Sequence, residues 1–182
     1  MALLVAMSTL WGGAAAAFSA LTSNPTNNWT TGVVSLSDDD LGGALFTAPN
    51  LLPGDSGVRC IVVTYGGSVP GAVKLYAAGY TTTLALGSSL DLTIEEGSGS
   101  TFAGSGPSSC TGFTASGTLY TGTVAGFAAA STGYGTGVGS FAPTGTGQTR
   151  VFRFSYTLSL LAPTSTQSGT AGVGFTWEAA AA

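Results

Sequence analysis

Few residues of this chain are equipped for acid, base or ligand chemistry: eight Asp or Glu, four Lys or Arg, and no His. Three carboxylates stand in a row at Asp38-Asp39-Asp40 and two more at Glu95-Glu96. Crowded oxygens suit a hard cation such as Ca²⁺, but the run lacks the spacing of a helix-loop-helix calcium loop. It reads first as a solvated acidic turn, with Asp38, Asp39 and Asp40 as weak metal candidates. Glu95 and Glu96 are adjacent in an alternating run, so on a strand they point to opposite faces and cannot converge on one bond.

With no His there is no imidazole base, no Ser-His-Asp or Cys-His relay and no His-ligated zinc. Gly54-Asp55-Ser56-Gly57 has the wrong spacing for a Gly-x-Ser-x-Gly elbow. Four cations are too few to neutralise a phosphate backbone, which argues against nucleic acid as a partner. The residues point to no catalytic site, no cofactor and no enzyme. Arg59, Lys74, Arg150 and Arg153 are expected to keep strand faces soluble.

Composition fixes the class of scaffold. Charged residues make up 7% of the chain, against about 25% in an ordinary soluble domain. Gly, Ser and Thr number 29, 21 and 27, yet 44% of residues are hydrophobic, enough to build a core. Small, hydroxyl-bearing, β-branched and aromatic residues with little Glu, Lys, Gln or Arg favour strands and turns over helices. The clearest strand alternates Phe152, Phe154, Tyr156, Leu158 and Leu160 with polar residues. Ala171, Val173, Phe175 and Trp177 follow the same period. Further strands are expected over 32–37, 44–47, 58–65, 72–78 and 90–96, and around Gly117-Thr118-Leu119-Tyr120, with one short helix near 125–130. Eight or so strands of uneven length predict an all-β, two-sheet antiparallel sandwich of jelly-roll type with long Gly/Ser/Thr-rich loops.

Residues 2–17 are apolar or small and end in four alanines, as a secretory signal does, and are too short and interrupted for a span of about 20 residues. No Lys or Arg precedes them, a departure from the usual basic start; a buried N-terminal strand or helix is the alternative. Cleavage after Ala17 would leave residues 18–182 as a single β-sandwich domain with no membrane span. Export suits the cysteines. An even count in a secreted chain favours a bridge between Cys60 and Cys110 over two free thiols.

Several short motifs resemble the TasA/camelysin family of secreted bacterial proteins. Ala17-Phe18-Ser19 resembles the junction at which that family's signal ends, and Asn28 to Leu36 its first strand, with Trp29 where Phe is usual. Leu52-Pro53-Gly54-Asp55 resembles its Pro-Gly-Asp turn, and Gly117 to Val124 a later Leu-Tyr-x-Gly-Thr-Leu segment. Tyr65 to Pro70 resembles another of its turns, with Tyr65 in place of Asn. The cysteine pair and the very low charge are departures.

The resemblance implies a jelly-roll domain that self-assembles into extracellular, biofilm-matrix fibres at the cell surface, with the N-terminal strand of one subunit completing the sheet of the next. Phe18 to Leu36 would be the donor segment, with Phe18, Trp29, Val33 and Leu36 as its anchors. The partner is then another copy of the chain, with cell-wall or matrix material as a further one. A monomeric surface-binding or adhesion module is the alternative. The family's metalloendopeptidase label is discounted, because the chain has neither His-Glu-x-x-His nor any His.

Overall fold

The computed structural model describes residues 32–39, 44–99 and 110–182, all within one compact unit, Gly32–Ala182. Residues 1–17, Phe18, Trp29 and Asp40 lie outside the described residues.

Among the described residues seven strands form two antiparallel sheets: β1 (Leu36–Asp38), β2 (Ser56–Tyr65), β3 (Gly71–Thr82), β4 (Leu90–Ser98), β5 (Thr114–Thr123), β6 (Gln148–Leu158) and β7 (Ala171–Ala181). The larger sheet has the order β1-β2-β6-β4-β5 and the smaller pairs β3 with β7. Alternation decides which residues enter the core. Ile61 and Val63 of β2, Leu92 and Ile94 of β4 and Phe152 and Phe154 of β6 meet Leu75 and Ala77 of β3 in one buried cluster. Rings bridge the layers: Phe154 lies 4.4 Å from Phe175 and Phe152 5.4 Å from Trp177, centroid to centroid. The all-β sandwich expected from the residue pattern is present.

The single α-helix among the described residues, α1 (Val124–Ala130), starts where Thr123 Oγ1 accepts the Gly126 amide at 3.1 Å, an N-cap. It buries Val124 and Phe127. None of the described helices is long and apolar enough to cross a membrane.

Two expected elements differ. The run 44–47 forms no strand; Leu45 and Phe46 pack against the core from irregular backbone, and Phe46 meets Tyr156 edge-on at 4.9 Å. Pro49 follows closely and offers no amide to extend a ladder. Over 32–37, only Leu36 and Ser37 enter a strand, β1. Leu160 also leaves its expected inward place: β6 stops at Leu158 and Leu160 is 76% exposed.

The cations do more than solvate strand faces. Arg153 pairs with Glu95 and lies 4.6 Å above the Phe113 ring, and Arg150 stacks on Phe141 at 5.4 Å. Lys74 Nζ donates to the Gly139 carbonyl at 2.7 Å. Arg59 alone behaves as expected, standing exposed on β2.

Candidate functional site

A sandwich of five strands over two leaves gaps along its flanks, and the two flanks here are treated differently. On one, the irregular segment 131–143 lies along β3 and takes up its free amides. Ala77, Leu75, Val73 and Gly71 donate in turn to the carbonyls of Ser131, Val138, Phe141 and Pro143, at 2.8 to 2.9 Å. Glu96 anchors the same segment from the other sheet. Its buried carboxylate accepts the Ser140 amide at 3.1 Å and the Ser140 hydroxyl. Glu95, one residue earlier, faces the opposite side and receives Arg153 Nε at 2.7 Å. The two carboxylates therefore serve separate packing roles.

The other flank is open among the described residues. There β7 pairs with β3 and with no other described strand, and opposite it lies the three-residue β1. A cavity of about 230 Å³ separates them, lined by Leu36, Asp38 and Val63 on one side and Phe175, Thr176 and Trp177 on the other. Trp177 packs on Phe152 and Phe154, but its indole Nε1 is buried and meets no acceptor among the described residues. A buried N–H without an acceptor is uncommon in a finished interior.

The segment leading into β1 is held by few contacts. Leu36, Ser37 and Asp38 stand opposite Tyr65, Thr64 and Val63. Before them, Ser35 O accepts the Gly66 amide and Val33 O the Ser68 amide, while Val33 N donates to Ser68 Oγ. After them, Asp39 Oδ1 accepts the Val62 amide at 2.9 Å, so a carboxylate continues the ladder where the backbone turns away. Asp38 lies within β1 itself. Among the described residues no group of three His, Cys, Asp or Glu comes together as a metal site would require.

Of the four residues expected to anchor assembly, Leu36 is partly buried against both clusters of the core and Val33 is exposed. Phe18 and Trp29 lie outside the described residues. Cys60 and Cys110 are joined by a disulfide, their Cα atoms 5.1 Å apart. Residue spacing alone does not reveal the open flank, because it arises from β1, β2 and β7, which are far apart in sequence. The alternation ending at Trp177 was its only local trace.

On the outer face of the small sheet, Tyr76 OH donates to Glu178 Oε2 at 2.9 Å. That hydrogen bond, partial desolvation and the carboxylate's charge all raise the phenol's pKa above 10.0. No protein-family model matches the chain, and no curated protein matches it.

Proposed function

We propose that this is a secreted structural protein of jelly-roll type that assembles with copies of itself into extracellular fibres, by exchange of the segment Phe18 to Leu36. The open flank between β1 and β7 carries this reading. A strand laid along β7 would take up backbone groups of a long edge that no other described strand pairs, the standard liability of exposed strands. Its apolar side chains would enter the gap beside Val63 and Trp177, and a carbonyl there could receive the indole N–H. Three ladder positions and the flanking hydrogen bonds of Val33, Ser35 and Asp39 hold β1 in its own chain, and the same segment of a neighbour would re-form the same contacts, so the exchange sacrifices little. The disulfide supports export to an oxidising compartment, and the residue chemistry supports a structural rather than catalytic role.

Light scattering and electron microscopy on the chain beginning at Phe18 test this, beside a variant lacking 18–28 and Trp29→Ala. Fibres from the parent and folded monomers from both variants are the expected result. Fibres from the deletion variant, or a parent that stays monomeric at high concentration, would refute the reading. The monomeric surface-binding module would then stand, favoured by the leucine-rich loops at one end of the sandwich.

A further inference from the structure

One end of the sandwich is formed by three loops, 44–55, 83–89 and 159–170, whose only charged residue is Asp55. That carboxylate is used locally, accepting the Leu52 amide at 2.8 Å. Between the loops lies a cavity of about 580 Å³, within the range of small-molecule sites. Leu51, Leu86, Leu158, Ala162 and Pro163 supply apolar wall, while Asn50, Gln167 and Ser168 supply amide and hydroxyl groups. None of the described residues that line it is ionisable.

Two independent observations set this end apart. Six large hydrophobic side chains stand exposed among the described residues, and four are here: Leu52, Leu84, Leu160 and Leu161, at 68%, 55%, 76% and 90%. Leu52 lines the cavity, Leu160 and Leu161 run directly into its wall at Ala162 and Pro163, and Leu84 precedes Leu86. Large apolar side chains left exposed together at one end of a domain mark an interaction site. Moreover, the four non-glycine residues with positive φ among the described residues, Asn50, Leu84, Ala85 and Ser168, all sit on these loops. Side chains rarely adopt that conformation, and strain of this kind gathers at ligand clamps.

The walls are also fixed. Gly54 N donates to Leu158 O at 2.7 Å and Ser159 N to Ser89 O at 2.9 Å. Thr83 N and Thr170 O, with Thr170 N and Thr83 Oγ1, close a reciprocal pair at 2.8 Å. A cavity braced in this way does not need to collapse when empty.

We propose that this cavity binds a neutral amphiphile, an alkyl chain bearing an uncharged, hydroxyl-rich head. An ionised head would lose hydration with no counter-charge to receive it, whereas hydroxyls can pair with Asn50, Gln167 and Ser168. The alkyl part would cover the leucines that water now meets. This inference stands apart from the assembly reading, which concerns the other flank.

Amide NMR of the full chain, titrated with octyl glucoside below its micelle concentration, tests it. Saturable shifts confined to the three loops are expected. Leu160→Ser/Leu161→Ser, which alters only exposed side chains, should weaken binding by about tenfold or more. Ala162→Trp, which fills the cavity, should abolish it while leaving the remaining spectrum intact. Phosphatidylcholine vesicles separate a membrane source from a free one: binding to vesicles together with the free glucoside supports the site. Binding to vesicles alone would overturn it in favour of a lipid-surface contact. Octanoate bound as tightly as octyl glucoside would overturn the requirement for a neutral head. Non-saturating shifts spread over the domain, or unchanged binding by the double serine variant, would overturn the site itself.

Discussion

Glu95 of β4 and Arg153 of β6 face each other across the ladder, with Arg153 Nε 2.7 Å from a carboxylate oxygen, and Cys60 of β2 stands on the far side of Arg153. The three residues form one row on the face of the larger sheet turned away from the core. Phe113 covers the guanidinium at 4.6 Å, and the disulfide to Cys110 fastens the connection between β4 and β5 onto the same row. A charge pair, a ring and a covalent bond thus protect a sheet face that the two-stranded partner does not reach.

The covalent part of that row should dominate its contribution. Cys60 and Cys110 are 50 residues apart, and closing such a loop in the unfolded chain is worth about 3–4 kcal/mol on the chain-entropy model. Paired Cys60→Ala/Cys110→Ala replacement is expected to lower the urea midpoint accordingly, with the strand signal in circular dichroism retained. An unchanged midpoint would mean that the bridge constrains little.

Phe154 has no exposed surface and carries the closest ring contact between the sheets, to Phe175. Phe154→Ala should destabilise by roughly 3–5 kcal/mol through the cavity it leaves. Denaturant titration beside Phe154→Leu, which refills part of the volume, checks the size of the effect.

Removing the Glu96 carboxylate should loosen one segment selectively. Glu96→Ala leaves the Ser140 amide and hydroxyl without their acceptor, at a cost of about 1–3 kcal/mol. Hydrogen exchange should quicken over 137–143 and stay unaltered in β6, while Glu96→Gln, which keeps an acceptor oxygen, should recover most of the protection. Equal acceleration everywhere would contradict a local anchoring role.

Tyr76 gives a pH dependence with a definite sign. Its folded pKa lies above 10.0, so the native state holds the phenol proton more tightly than the unfolded chain does. The associated stability is complete below about pH 10, the ordinary tyrosine pKa, and is lost as pH rises through the folded value. Glu178→Gln should bring the Tyr76 titration, followed by its phenolate absorbance, back toward the ordinary value. A titration unmoved by that change would remove Glu178 as the cause.

How far the sequence could be read depended on the range of each contact. The alternations beginning at Phe152 and Ala171 report their own exposure, and β6 and β7 lie where those patterns place them. Glu95 and Glu96 diverge as neighbours on a strand must. Their partners were hidden, because Arg153 and Ser140 are brought near only by the pairing of β4 with β6 and by the path of segment 131–143. Leu158 and Leu160 look equivalent by period, but the ladder ends between them: one is buried and the other forms part of the apolar loop end. The cavity there draws on loops from three parts of the chain, and its left-handed residues Asn50, Leu84, Ala85 and Ser168 are not types that announce a turn as glycine does, Asn50 excepted.

Under tension the disulfide acquires a mechanical meaning. A pull applied between Gly32 and Ala182 would travel through the Cys60–Cys110 bond and bypass the chain between them. At about 3.4 Å per extended residue, some 170 Å of contour would stay out of reach of the load. The bypassed stretch contains β3 and β4, so neither can be drawn out from its own ends. The molecule would lengthen by surrendering β1 and β7 from its termini, while the bridge keeps the middle of the chain slack and able to re-form its strands when the force is released.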